Sequence, residues 1–158
     1  MDLNVRFANE AQRDFYYATA RNQVFSGGFN NGKTFIGCFK AATLLLTFPG
    51  YRCIIARQKY TDLRRTTMQT FFKGFPNEMV ESHNEQVGYT SLKNKSGIFW
   101  IHLDGVDENT LRGLEVNSSL IDQGEETEEK VFDVLDARIA RWDGVTTLKR
   151  GYGWRPTN

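Results

Sequence analysis

The stretch FSGGFNNGKT, residues 25–34, decides how the rest of the sequence is interpreted. It places three of the chain's 14 glycines, two asparagines and a lysine directly before a long apolar run. From Gly27 to Thr34 it fits the pattern G-x-x-x-x-G-K-[ST] at every fixed position. This pattern is typical of a loop that binds the phosphates of a nucleotide. The alternative is a glycine-rich turn that caps a helix beside an exposed lysine.

Each fixed position of the pattern has a physical reason. The glycines let the backbone curl so that successive N–H groups face the phosphate oxygens, and the following helix offers its N-terminus to the same anion. Lys33 is expected to reach the β- and γ-phosphates of ATP, and the Thr34 hydroxyl is expected to bind Mg²⁺. The residues predicted to bind the nucleotide are Gly27, Gly28, Phe29, Asn30, Asn31, Gly32, Lys33 and Thr34.

The composition favours one globular domain. A chain of 158 residues with 40% hydrophobic and 25% charged residues can bury a core, and it is not disordered throughout. A net charge of +1 gives no electrostatic argument for nucleic acid or membrane binding. The longest apolar run, residues 41–48, is far below the roughly 18 residues of a membrane span, and residues 1–20 lack the apolar core of a signal peptide. We therefore expect an intracellular protein that is neither secreted nor bound to a membrane, and whose two cysteines and two histidines form no metal cluster.

Strand-like and helix-like segments alternate along the chain. Short apolar or β-rich runs predict strands at residues 22–28 and 52–58, a hairpin over residues 87–105, and a strand within residues 115–126. Helical spacing predicts helices over residues 33–48, 59–75 and 127–142; the last one places Val131, Leu135 and Ile139 four residues apart. This alternation predicts an α/β fold with a sheet flanked by helices.

A second acidic site is predicted where the last strand ends. An ATPase with a phosphate-binding loop needs an acid at the end of a buried strand to hold Mg²⁺ through water, and often a glutamate that activates the attacking water. In SSLIDQGEE, residues 118–126, Asp122 follows the strand, and Glu125 and Glu126 come next. The alternative for both glutamates is the acidic first turn of a helix.

Three segments in this order resemble the N-terminal ATPase region of the large terminase subunits of tailed phages. They are GGFNNGKT, then IIARQKYTDLRRTTMQTFF, then LRGLEVNSSLIDQGEETEEKVFDVLDARIARW, and the resemblance covers residues 23–142. It implies a P-loop NTPase fold of the ASCE type, with three layers and a mostly parallel sheet flanked by helices. It also implies hydrolysis of ATP with Mg²⁺ in a packaging motor that moves double-stranded DNA into a procapsid.

The resemblance assigns roles to individual residues. Lys33 and Thr34 match the Walker A pair, and Asp122 matches the Walker B aspartate. Arg57 lies in a segment that approaches the nucleotide or a neighbouring subunit in this family; the alternative is a solvated charge at a strand end. The position after Asp122 is commonly glutamate but is Gln123 here, which can orient a water but cannot take its proton. Either Glu125 or Glu126 then serves as the base, with Glu126 preferred, or hydrolysis is intrinsically slow.

The family pattern departs from this chain in two further ways. Many terminases carry an arginine inside the loop, where this sequence has Phe29, Asn30 and Asn31. The family's ATPase region also continues into a further strand and a nuclease domain, so the chain is expected to be a fragment, a split gene product or a truncated reading frame without nuclease activity.

The predicted organisation is an N-terminal arm or helix over residues 1–21, an ATPase core over residues 22–142, and an irregular tail over residues 143–158. The resemblance implies double-stranded DNA, a portal protein and a small terminase subunit as partners, a ring of identical subunits as the assembly, and the host cell cytoplasm as the location. The alternative function is a non-catalytic P-loop module for nucleotide binding or assembly.

Overall fold

The computed structural model describes residues 6–28, 32–139, 141 and 142. Three of the predicted loop residues, Phe29, Asn30 and Asn31, lie outside the described residues, as does the predicted tail over residues 143–158. The division of the chain into arm, core and tail stays a prediction. No helix in the described ranges is both long enough and apolar enough to cross a membrane.

Helices and strands alternate over the described ranges. The α-helices are α1 (Glu10–Tyr17), α2 (Lys33–Thr47), α3 (Tyr60–Asp62), α4 (Gln69–Gly74), α5 (Glu108–Arg112) and α6 (Glu129–Asp136). The strands are β1 (Arg52–Arg57), β2 (Val80–Asn84), β3 (Tyr89–Leu92), β4 (Gly97–His102) and β5 (Ser118–Ile121). A π-helical segment, Leu63–Met68, joins α3 to α4 and is called the π turn below; 3₁₀ turns lie at Asn77–Met79 and Gly124–Glu126.

The five strands form one sheet in the order β2-β3-β4-β1-β5. Strand β1 is an interior strand and pairs in parallel with β4 on one side and with the edge strand β5 on the other. Strand β3 is antiparallel to both β4 and β2. Four of the five strands therefore point the same way, so the predicted mostly parallel sheet is confirmed.

Alternating residues of β1 supply two cores, one on each face of the sheet. Cys53 and Ile55 pack in the core on the side of α2 and α4, whereas Ile54 and Ala56 pack in the core on the side of α5 and α6. All four side chains are essentially excluded from solvent. Because successive side chains of a strand point to opposite faces, the apolar run RCIIAR is what a strand covered by helices on both faces requires.

Helix α2 lies close to β5. A Cβ atom built on Gly37 would lie only 2.9 Å from Cδ1 of Leu120, so the glycine permits the close approach. Tyr16 of α1 packs on the other side of α2, where its hydroxyl bonds the Thr43 hydroxyl at 3.0 Å. The contact with β5 holds the N-terminal end of α2 beside the end of that strand.

Several expectations about local structure are confirmed. The helix that follows the glycine-rich loop, the strand RCIIAR, the hairpin of β3 and β4, and the strand SSLI all occur. The helix predicted over residues 59–75 occurs as α3, the π turn and α4, with Leu63, Met68 and Phe71 buried as its apolar face. It ends before Pro76, as expected from the proline.

Two expectations about local structure are wrong. No strand forms in the described residues of the segment 22–28, and Val24 is 91% exposed. An apolar run becomes a strand only when a neighbouring strand satisfies its backbone groups, and no described strand pairs with this run. The last helix ends at Asp136, so Ile139 does not continue the helical face; it forms a parallel bridge with Val116 instead.

Candidate nucleotide-binding site

The structure brings Thr34 and Asp122 together although they are 88 positions apart in sequence. Thr34 stands in the first turn of α2, and Asp122 directly follows β5. The Thr34 hydroxyl lies 2.9 Å from Oδ1 and 3.0 Å from Oδ2 of Asp122. The backbone N–H of Asp122 donates to the Ala56 carbonyl at 2.9 Å, which extends the ladder between β5 and β1 to the site. The two patterns found separately in the sequence therefore form one site.

Two further side chains contact the Asp122 carboxylate. Nη1 of Arg57, at the end of β1, lies 3.4 Å from Oδ2, and the Thr67 hydroxyl donates to the same oxygen at 2.6 Å. The Arg57 and Asp122 side chains are only 11% and 6% exposed, so this is a buried ion pair. The expected alternative, a solvated charge at a strand end, is wrong for Arg57, because the side chain is buried against the carboxylate; its approach to a nucleotide or a neighbouring subunit stays a prediction. Its Nε is buried without a hydrogen-bond partner in the described part of the chain.

Sequence reasoning did not identify Thr67. In the sequence, Thr67 is one of two adjacent threonines in a segment with helical spacing. In the structure, this segment is the π turn, where Thr67 is completely buried and Thr66 is exposed. The only sequence signal is a polar residue placed among apolar helix positions, between Leu63 and Met68. Nothing in that spacing indicates that the hydroxyl would meet an aspartate 55 positions later.

Lys33 folds back onto the loop that precedes it. Its Nζ donates to the Gly27 carbonyl at 2.6 Å, so the first glycine of the motif and the lysine are in contact. Gly32 is the N-cap of α2 and has φ +67°, a left-handed conformation that glycine adopts without strain. The described ends of the loop thus place Gly27 and Lys33 together at the N-terminal end of a 15-residue helix, where a phosphate would find unpaired N–H groups.

The residues after Asp122 lead away into solvent. Gln123 has φ +58°, which turns the chain sharply at the end of β5. Glu125 and Glu126 lie in the 3₁₀ turn that follows, and both side chains are exposed. They stand near the site in sequence, and their assignment as the base stays a prediction.

The segment that leads into the loop is anchored to α2 through Lys40. Its ammonium donates to the carbonyls of Phe15 and Ala18 at 2.8 and 2.9 Å, and to the side-chain oxygen of Gln23. Burial lowers the pKa of Lys40 to about 8. Lys40 therefore ties α2 both to the end of α1 and to Gln23, which lies four residues before Gly27.

Behind the site, Cys38 packs between α2 and the π turn. Its thiol lies 3.7 Å from the Thr67 carbonyl, within range of a weak S–H hydrogen bond. Burial, with a smaller effect of the Asp122 charge, raises the pKa of Cys38 to about 12. The thiol therefore stays protonated and acts as packing for the turn that carries Thr67.

The oxygens of Thr34 and Asp122 fit Mg²⁺. Both side chains offer the oxygen ligands that Mg²⁺ prefers, and they lie side by side, so an ion bound by the Thr34 hydroxyl would have its water ligands within reach of the Asp122 carboxylate. No group of three or more His, Cys, Asp or Glu side chains is placed to hold a metal in the described ranges.

No protein-family model matches the chain, and no curated protein matches it. Solved structures do match. A crystal structure of the large terminase from a thermophilic bacteriophage has a TM-score of 0.60 and 17% identity, covering 75% of this chain and 29% of that one. The same large terminase in complex with ADP has a TM-score of 0.59 and 19% identity, covering 75% of this chain and 30% of that one.

These similarities confirm, at the level of the fold, the resemblance seen in the sequence. The chain shares the α/β fold of part of a phage large terminase, and it spans about 30% of the length of the terminase that it matches.

Proposed function

We propose that the chain binds ATP with Mg²⁺ and hydrolyses it as the ATPase part of a viral DNA-packaging motor, a terminase large subunit. The observation that carries the proposal is the contact of Thr34 with Asp122 at the N-terminus of α2, beside the loop that Lys33 closes. The similarity to a terminase solved in complex with ADP supports nucleotide binding.

In this proposal each residue has a separate task. The loop from Gly27 to Gly32 offers backbone N–H groups to the phosphates, and Lys33 exchanges its bond to the Gly27 carbonyl for the β- and γ-phosphates. Thr34 and Asp122 hold the metal, which neutralises charge on the phosphates when it is bound. Arg57 adds a buried positive charge beside the carboxylate.

Activation of the attacking water falls to the residues after Asp122. In this proposal Gln123 orients the water, and Glu126, or else Glu125, accepts its proton. Both glutamates are exposed in the 3₁₀ turn, so a bound nucleotide or a neighbouring subunit must bring one of them to the water. Slow hydrolysis by the isolated chain follows from this arrangement.

The proposed setting is a homo-oligomeric ring in the host cell cytoplasm that moves double-stranded DNA through a portal protein, with a small terminase subunit as a further partner. The chain has a net charge of +1, so the grip on DNA is assigned to the assembled ring rather than to a strongly basic surface of one chain.

The test is a titration with a fluorescent ATP analogue and Mg²⁺, using the wild-type chain and Lys33→Ala. A lysine-to-phosphate hydrogen bond is worth about 1.5–3 kcal/mol, so binding should weaken about 10- to 100-fold. Lys73→Ala, on an exposed position of α4, is the matched control and should bind as wild type does. Equal binding by wild type and Lys33→Ala would contradict the proposal.

The second candidate is a non-catalytic nucleotide-binding or assembly module. It is favoured by Gln123 in the place of the usual glutamate and by the exposure of Glu125 and Glu126. Gln123→Glu separates the candidates, because it puts back the usual glutamate. The comparison is fair, since glutamine and glutamate adopt the left-handed backbone conformation of this position at the same cost. A marked gain in ATP turnover indicates a detuned ATPase. Unchanged turnover in Gln123→Glu and in Glu126→Ala indicates the binding module.

A further inference from the structure

We propose that Thr67 is a positioning residue that orients the Asp122 carboxylate for metal binding, and that the π turn exists to place it. This inference rests on the proposed function, since it concerns the same site. It begins from the contacts of the two carboxylate oxygens, which differ.

Oδ2 of Asp122 accepts hydrogen bonds from Thr67, Arg57 and Thr34, at 2.6, 3.4 and 3.0 Å. Oδ1 accepts only from Thr34, at 2.9 Å, among the described residues. Oδ2 is therefore held on the protein side of the site, and Oδ1 is left on the side of Thr34 and α2. Oδ1 thus keeps more of its acceptor capacity and is the oxygen that would serve a cation at Thr34, directly or through that cation's water.

The direction of the hydrogen bonds around Thr67 is determined by the donors present. Arg57 can only donate, and its Nη1 lies 3.5 Å from the Thr67 hydroxyl oxygen. The single hydroxyl hydrogen of Thr67 is then free for Asp122, and 2.6 Å is the short separation typical of a hydroxyl bonded to a carboxylate. Since Thr67 is fully buried, no water competes for that hydrogen.

The π turn supports a positioning role. A π-helical segment widens the helix by one residue, costs stability and is frequent at functional sites. Here it buries Thr67 and exposes the adjacent Thr66, while the Cys38 thiol contacts the Thr67 carbonyl from α2. A valine in this position would fill nearly the same volume in the core but would leave Oδ2 with one donor fewer.

The experiment compares Thr67→Val with Thr67→Ser, which keeps the hydroxyl, and with Thr66→Val, the same change at the exposed neighbour. The affinity for a fluorescent ATP analogue is measured in Mg²⁺ and in EDTA, and the readout is the ratio of the two affinities. Removing a group that orients a metal ligand typically costs 10- to 100-fold in metal affinity. We expect the ratio to fall at least about tenfold in Thr67→Val, with binding in EDTA unchanged. Thr67→Ser and Thr66→Val should keep the wild-type ratio.

An unchanged ratio in Thr67→Val would overturn the inference, as would an equal loss in Thr67→Ser or a parallel loss in EDTA, which indicates a structural role only. If Thr67→Val does not fold, Thr67→Cys replaces it, because a thiol of similar size is a weak donor, and an unchanged ratio then overturns the inference. Wild-type binding that is lost in Lys33→Ala but shows no gain from Mg²⁺ overturns this inference and leaves nucleotide binding intact. No wild-type binding at all overturns the proposed function itself.

Discussion

Replacing Arg57 by methionine tests whether the buried ion pair with Asp122 stabilises the fold. At the observed 3.4 Å and an effective dielectric constant of about 20, the attraction between two unit charges is about 5 kcal/mol. Removing one partner of a buried pair typically costs about 3–5 kcal/mol, because the other charge stays buried and unpaired. The Thr34 and Thr67 hydroxyls still donate to the carboxylate, so we expect the low end, about 3 kcal/mol.

The assay is urea unfolding followed by far-UV circular dichroism. With a slope of about 2 kcal/mol per molar urea, the midpoint should fall by about 1.5 M. Arg64→Met is the matched control, since the Arg64–Glu85 pair is about half exposed on both sides and should contribute less than about 1 kcal/mol.

The double variant Arg57→Met, Asp122→Asn shows whether the loss of unfolding free energy in Arg57→Met comes from the contact with the carboxylate. If Arg57 acts through the carboxylate, the two substitutions together should cost about 1–3 kcal/mol less than the sum of the single costs. Strictly additive losses, or a loss in Arg57→Met no larger than in Arg64→Met, would refute the reasoning.

Two other predictions concern titratable groups. Because burial lowers the pKa of Lys40 from 10.5 to about 8, the unfolded chain binds more protons between these values, so the contribution of Lys40 to the free energy of unfolding rises with pH across that range. The urea midpoint of wild type, relative to that of Lys40→Met, should therefore rise from about pH 7.5 to about pH 10. A difference that stays constant with pH would contradict the lowered pKa of Lys40. Burial also raises the pKa of Cys38 to about 12 and that of Cys53 further. A thiol reagent at about pH 8 should label neither cysteine in the native chain and both in urea, whereas rapid native labelling would show that the packing behind the site is wrong.

The meeting of Thr34 and Asp122 could be predicted from the sequence because it depends on local patterns and one general rule. A glycine-rich loop fixes where α2 begins, an apolar run fixes where β5 ends, and the ends of parallel strands share one edge of the sheet. Each of these signals lies within about ten residues, so one sequence contains them in full.

The role of Thr67 and the fate of residues 22–28 could not be predicted in the same way. Helical spacing places Thr67 on the same face as Leu63 and Phe71, but its hydrogen bond to Asp122 depends on packing between distant elements, which no local pattern shows. The apolar run around Val24 has the composition of a strand, but whether it pairs depends on which strands lie beside it. Strand β2 was missed for the opposite reason, since its edge position leaves four of its five residues exposed and polar.

The position of β1 between β4 and β5 has a consequence for how the chain folds. β1 is complete by residue 57, yet its partners begin at Gly97 and Ser118, so both pairings close long loops. Such non-local pairing slows folding, and Asp122 reaches Thr34 only after β5 has docked. A nucleotide held at that contact would bind the finished fold and not its precursors. The free energy of nucleotide binding would therefore add to the free energy of unfolding. During refolding, the rate at which the chain becomes able to bind nucleotide would report the rate at which β5 docks.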